Sequence, residues 1–324
     1  MLTLPMAGIL KKHFPDCTIL FLGRNYSRAI IETCSHVDSF LSWDDVKALS
    51  AKDRTDFFSN MKADVFIHVF PDKQIAALAQ EAGIRIRIGT SHRLFHLLTC
   101  NKLVHFSRRN SKLHESQLNL KLLSGLGILD APEINALDSF MGFDKIPPAD
   151  PSFSEQLGKD KYNLILHPKS RGSAREWGLE NFSKLIALLP EEKFRIFISG
   201  TTEEGKSMKD FIRVNPRVID LTGKLSLSAF ISFISSADAL VAASTGPLHI
   251  AAALGKCAIG IYAPMRPIHP GRWAPIGPNA SFFVNENSCS DCIKNSECHC
   301  IREIAPEKVA GSLIKDAEVG RLPG

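Results

Sequence analysis

The sequence predicts an α/β protein of two domains, each built on a parallel sheet flanked by helices. Short apolar runs with strand character alternate with amphipathic helical stretches along nearly the whole chain, the pattern of repeated βαβ units. A polar stretch over about 130–156, carrying Pro147, Pro148 and Pro151, interrupts this alternation and reads as a linker. The length of 324 residues suits two domains of about 150 residues each. The expected division is an N-terminal domain over 1–150, starting at Met1, and a C-terminal domain over 157–324.

The elements follow in order. Met6, Ile9, Leu10 and Phe14 share one helix face, and 18–22 reads as a buried strand. A second strand is expected over 64–70, a helix over 72–82 and a strand over 84–88, with Gly83 where a helix C-cap glycine belongs. Residues 114–126 form a longer helix with Leu118, Leu122 and Leu126 on one side, ended by Gly127. Beyond the linker come a strand over 162–166, a helix over 181–189 with Phe182, Leu185, Ile186 and Leu189 inward, and a strand over 194–199. A helix over 228–236 and strands over 239–241 and 258–262 complete the series. Ligands in such sheets bind at the carboxyl ends of the strands, and a cleft between the two domains is the expected site.

Composition narrows the function classes. The chain is 44% hydrophobic and 23% charged, enough for a sizeable core, and no apolar run reaches the ~18–20 residues of a membrane span. The N-terminus lacks a basic n-region and a signal cleavage site, so it reads as mature structure. A net charge of +5 permits an anionic partner without demanding nucleic acid, and no RNP-like or zinc-finger signature is present. Cys17, Cys34, Cys100 and Cys257 are scattered, read as buried thiols, and form no secreted disulfide framework, which favours a cytoplasmic location.

The richest stretch is 242–255. An apolar strand runs into Ser244-Thr245-Gly246, and a small-residue helix begins near Pro247. A helix N-terminus with unpaired N–H groups and partial positive charge is a natural phosphate seat. Ser244 or Thr245 can cap that helix, Pro247 suits its first turn, Gly246 lets a ligand approach the backbone, and His249 can donate to a phosphate oxygen. A well-capped helix with nothing bound is the alternative. Three further polar loops follow strands of the same half. Residues 167–177 supply Lys169, Ser170, Arg171 and Arg175, suited to a diphosphate. Residues 199–205 supply Glu203 and Glu204 for sugar or ribose hydroxyls, and 220–223 can line a nucleobase pocket. Each alone is an ordinary solvated loop; together they converge on one edge of a sheet.

These residues carry a resemblance. The block from Ser244 to Gly255 resembles the signature of glycosyltransferase family 9, the heptosyltransferases of bacterial lipopolysaccharide assembly. So does His167-Pro-x-Ser170…Arg175-x-Trp177…Glu180-Asn-Phe182, and shorter matches at 2–5, 14–16, 64–70, 88–89, 114–115 and 304–309 extend it along nearly the whole chain. The resemblance implies two Rossmann-like domains in the GT-B arrangement, the N-terminal one on the acceptor side and the C-terminal one binding the nucleotide sugar. It implies inverting transfer of a heptose from an ADP-sugar onto an inner-core lipid acceptor, without a metal or other cofactor. Carried over by position, Ser244, Thr245, Gly246, Pro247 and His249 would hold the donor diphosphate, joined by Ser170, Arg171 and Arg175, the last standing where the family usually has lysine. Glu204 would face donor hydroxyls, and Leu221, Thr222 and Gly223 the base. The family's first strand and its Gly-Asp turn, whose aspartate is the proposed general base, precede the helix that begins here near Leu4. By position that aspartate falls upstream of Met1, so the strand and the base are expected to be missing from this sequence.

Two constellations stand apart from the donor pocket. Cys289-x-x-Cys292-x5-Cys298-x-Cys300 has thiols that could hold structural zinc or an iron–sulfur cluster, remain free thiols or local disulfides, or carry redox chemistry. Arg85, Arg87, His92, Arg93, Lys102, Arg108, Arg109 and Lys112 form a basic stretch, either a contact for a phosphorylated, membrane-anchored acceptor at the inner membrane face or a solvated surface. His13, His36, His68, His92, His96 and His105 show no mutual spacing that marks a site. The leading expectation is a glycosyltransferase; the alternatives are a nucleotide-sugar-binding protein without catalysis and another nucleotide-sugar enzyme of the same fold, such as an epimerase that frees UDP.

Overall fold

The computed structural model describes residues 1–109, 111–130, 132–265, 268–285 and 299–319. They divide into two compact units, the first Leu2–Gly142 and the second Phe143–Gly324. Every strand pairing in both units is parallel.

In the first unit the strands are β1 Leu20–Gly23, β2 Ser39–Ser42, β3 Val65–Ile67, β4 Ile86–Thr90 and β5 Lys102–Val104. They form two sheets, β1-β2 and β3-β4-β5, where the apolar pattern suggests one. The runs expected as buried strands over 18–22 and 64–70 are accordingly shorter and only partly covered. Leu20 is 37% exposed, and Val65, Phe66 and Ile67 are half-buried, because β1 and β3 are each paired on one side only. The opening helix, Leu4–His13, buries Leu4, Met6, Ala7 and Ile9, and a Cβ at Gly8 would collide with the Phe140 carbonyl. Helices Trp43–Ala48, Ala51–Asn60 and Lys73–Glu81 start at side-chain caps from Ser42, Ser50 and Asp72. Their apolar faces meet around Phe58, which stacks on Phe66 at 6.0 Å and meets Trp43 edge-on at 6.5 Å. The stretch expected as one helix over 114–126 is α-helical only over Glu115–Leu120 and tightens to a 3₁₀ turn over Lys121–Leu126. Ser124 and Gly125 favour that weakening, and Gly127 ends it at φ 81°.

In the second unit β6 Tyr162–His167, β7 Phe194–Ile198, β8 Val218–Asp220, β9 Ala239–Ala243, β10 Cys257–Tyr262 and β11 Ala280–Val284 form one six-stranded sheet. Its order is β11-β10-β9-β6-β7-β8. β6, β9 and β10 are buried along their whole lengths, as continuous apolar runs in a doubly covered parallel sheet require. The helix Leu179–Leu188 turns Phe182, Leu185 and Ile186 inward and packs against the helix Pro306–Val319, which buries Val309, Ala310, Leu313 and Ala317. The Tyr162 hydroxyl donates to the Asp316 carboxylate and ties that helix to the first strand of the unit.

The 130–156 stretch holds two 3₁₀ turns, Ile134–Ala136 and Asp138–Phe140, and a short helix, Pro151–Ser154, capped by Asp150. The boundary between the units falls inside it, after Gly142.

Candidate functional site

The strand order sets the place. The chain runs outward through β6, β7 and β8, then crosses back to lay β9 beside β6, so the connections leaving β6 and β9 diverge at a topological switch point. His167 closes β6 in register with Ala242 of β9, and Ser244 and Thr245 follow β9 directly. The loops after β7 and β8 open on the same edge of the sheet.

Thr245 holds the N-cap position of the helix Gly246–Ala253 in extended geometry, yet its side chain makes no capping bond. Its hydroxyl oxygen is buried without a hydrogen-bond partner, at 7% residue exposure. Ser244 does not cap the helix either; its hydroxyl lies toward Tyr262. The capping role expected of one of these residues is therefore unfilled, leaving a buried, unbonded hydroxyl at the N-cap position. Pro247 lies in the first turn, and a Cβ on Gly246 would meet nothing within 4 Å, so the space before the helix is open. Leu248 is wholly buried, a Cβ at Gly260 would strike the Tyr262 ring and press on Leu248, and His249 is 8% exposed.

The loop after β6 is organised by one carboxylate. Glu176 accepts from Lys169 Nζ at 2.9 Å, from the Ser170 amide at 3.0 Å and from the Ser170 hydroxyl at 3.2 Å. The chain reverses through Arg171 (φ 49°) and Gly172 (φ 76°), and Ser170 Oγ also donates to the Ala174 carbonyl at 2.9 Å. Trp177 anchors the loop: it is buried, donates to the Ile304 carbonyl at 2.9 Å and meets Phe182 edge-on. Lys169 is thus engaged by Glu176, Arg171 is exposed and Arg175 is half-buried.

His167 is absent from the site set read off the sequence, although it opens the His-Pro-x-Ser motif at a strand end. Its Nδ1 lies 2.9 Å from Ser199 Oγ at the end of β7. Burial pushes its imidazole down to about 4 against the upward pull of Glu204 and Glu176, so it is neutral near pH 7. Glu204 sits in a capping box: its carboxylate accepts from the Thr201 amide at 2.7 Å while Thr201 Oγ1 accepts from the Glu204 amide. In the next loop Asp220 accepts from the amide and hydroxyl of Thr222 at 2.9 and 2.7 Å, and Leu221 is 2% exposed. The two loops interlock, since a Cβ at Gly205 would strike Thr222 and one at Gly223 would strike Thr202.

The general base expected upstream of Met1 lies outside the described residues. Cys289, Cys292 and Cys298 also lie outside the described residues; Cys300 is buried in the short helix His299–Arg302. Among the described residues no group of three His, Cys, Asp or Glu side chains could hold a metal ion, and no helix is long and apolar enough to cross a membrane. Two histidine pairs that sequence spacing did not suggest do meet in the first unit. The rings of His68 and His96 lie 5.1 Å apart, and those of His92 and His105 4.8 Å.

A helix N-terminus with an unengaged hydroxyl, on the strand-end edge that also carries the basic loop after β6 and a neutral imidazole, is suited to an anionic group. Comparison with known proteins agrees with that chemistry. The profile of glycosyltransferase family 9 (heptosyltransferase) matches residues 62–300. Lipopolysaccharide heptosyltransferase 3 of Escherichia coli is 22% identical over 284 residues, 81% of this chain and 79% of that protein. The crystal structure of a family 9 glycosyltransferase from Veillonella parvula superposes with a TM-score of 0.78 at 16% identity, covering 98% of this chain and 93% of that one. The E. coli ADP-heptose lipopolysaccharide heptosyltransferase II superposes with a TM-score of 0.75 at 13% identity, covering 99% and 96%. This chain belongs to glycosyltransferase family 9 and is a glycosyltransferase.

Proposed function

We propose that this enzyme transfers a heptose, or a related sugar, from a nucleotide-diphosphate donor, ADP-heptose foremost, onto a lipopolysaccharide core or similar glycolipid. The carrying observation is Thr245: a buried hydroxyl with no partner at the N-terminus of an eight-residue helix, at the switch point of a parallel sheet. In this reading Thr245 and the Gly246 amide bind the donor diphosphate, with Ser244, Pro247 and His249 shaping the same mouth. Arg171 and Arg175 neutralise the phosphates from the loop that Ser170 and Glu176 hold in shape. Glu204, fixed by its capping box, faces a donor hydroxyl. Leu221 offers only its main chain to the base because its side chain is buried, and Thr222 and Gly223 complete that wall.

As the glycosidic bond breaks, the departing diphosphate gains negative charge, and fixed donors aimed at it lower the barrier without a metal. The acceptor hydroxyl loses its proton to a general base as the new bond forms. The related proteins named for lipopolysaccharide heptosyl transfer support the acceptor class. Calorimetry with ADP, UDP and GDP tests the donor reading. ADP is expected to bind tightest and to weaken in Arg175→Ala and Thr245→Val; equal affinity for the three nucleotides, or no effect of either change, would overturn it.

A further inference from the structure

The helix Leu94–Thr99 presents leucines outward. Leu94 is 84% exposed, Leu98 80% and Leu97 50%, and their spacing of three and four residues puts them on one face. This is not a frayed end. His96 Nδ1 donates to the Thr90 carbonyl at 3.1 Å, Gln80 donates to the Leu98 carbonyl at 3.0 Å, and Arg87 Nε donates to the Thr99 carbonyl at 2.6 Å. The helix lies so close to β4 that a Cβ at Gly89 would collide with His96 and Cys100. Leu103 of β5 stands in register with Gly89, so its side chain emerges on the sheet face the helix covers, and it is 43% exposed. Single exposed leucines are ordinary; three on the outer face of a firmly seated helix, with a fourth exposed on the adjoining strand, are not.

The charge around this face has one sign. From Ala82 to His114 the chain holds no Asp or Glu and seven Lys or Arg. Arg87 and Arg108 are bound internally, Arg108 to Glu115, Asn119 and the Val69 carbonyl. Arg85, Arg93, Lys102, Arg109 and Lys112 are exposed, with Arg93 and Lys102 flanking the leucines in sequence. Apolar side chains rimmed by cations match a surface whose outer layer is anionic and whose next layer is hydrocarbon. Nucleic acid would leave the leucines without a partner, and a second copy of this face would oppose Arg93 and Lys102 to their own like charges.

We propose that the face formed by Leu94, Leu97, Leu98 and Leu103, with Arg93 and Lys102 at its rim, binds the surface of an anionic lipid bilayer. This deepens the glycolipid-acceptor reading by giving the enzyme its own hold on the membrane, and the test uses vesicles that contain no acceptor. Flotation with phosphatidylcholine vesicles, with and without phosphatidylglycerol, is the measurement. The wild type is expected to float with the anionic vesicles and to be released by salt. Leu94→Ser/Leu98→Ser should lower partitioning about tenfold or more, and Arg93→Ala or Lys102→Ala about fivefold each. Unchanged melting and ADP binding in the leucine variant would show that only this face was altered. Failure of the wild type to float, flotation of the leucine variant equal to wild type, or a wild-type dimer that this variant breaks without any vesicle binding would each overturn the proposal. A failed transfer assay with a glycolipid would leave the flotation result standing.

Discussion

At Thr245 a position that ordinarily caps a helix is occupied by a hydroxyl that caps nothing. An unpaired buried oxygen costs stability, so its retention there suits binding rather than folding. Thr245→Val is therefore expected to leave the melting temperature unchanged or slightly raised, while calorimetry shows ADP affinity falling about tenfold. A loss of stability with affinity intact would place the residue in the scaffold instead. His68 belongs to folding. Burial, with His96 and Arg87 nearby, pushes its imidazole from 6.5 down to about 3, and burial lowers His96 as well. Between about pH 6.5 and 3 the unfolded chain binds a proton that the folded chain refuses, so stability falls as pH drops through that window. For His68 alone the loss by pH 5 is about 2 kcal/mol. Urea unfolding at pH 7.5 and 5 should show it, and His68→Leu should flatten the slope; equal slopes would contradict the assignment. Thr245, Gly246, Ser170 and Arg175 were legible because they sit in contiguous motifs. The pairing of His167 with Ser199, 32 residues away, and of His68 with His96 was not, because only strand pairing and helix packing bring them together.

Elements with their own punctuation were read well. The helix expected over 72–82 is Lys73–Glu81, because Asp72 caps its start and Gly83 turns the chain at its end. Strands of three or four residues, such as β2 and β5, carry too little period to be seen in sequence and exist because a neighbour supplies their hydrogen bonds. The same dependence on neighbours governs the interlocked loops after β7 and β8. Gly223 has φ 68° and its missing Cβ leaves room for Thr202. Gly223→Ala should destabilise the second unit by about 2–4 kcal/mol, the sum of left-handed strain and overpacking. It should also weaken nucleotide binding through the displaced Thr222. Denaturant titration with ADP calorimetry checks both; a neutral effect would mean the loops yield independently.

Across the whole molecule the two units differ in how their sheets are closed. The second has six strands in one sheet, three of them buried throughout, whereas the first divides five short strands between two sheets. Half-covered edge strands open more readily than buried central ones. Hydrogen exchange should therefore find the amides of β1 and β3 exchanging at least about tenfold faster than those of β6, β9 and β10. Uniform protection across both units would contradict this. The two-domain α/β architecture was legible from alternation alone, since each strand and helix announces itself locally. The split of the first sheet was not, because the apolar run over 64–70 looks the same whether one or both of its edges are paired.

The tie between Tyr162 and Asp316, 154 residues apart, has a consequence in time. The first strand of the second unit and the helix Leu179–Leu188 stay uncovered on one side until Pro306–Val319 has been synthesised and has left the ribosome. Such a long-range closure postpones the unit's burial until that helix has emerged, whereas the contacts of Leu2–Gly142 are available far earlier. The second unit therefore completes its core only after Pro306–Val319 has emerged, and a variant lacking the Tyr162–Asp316 tie should refold more slowly than the wild type.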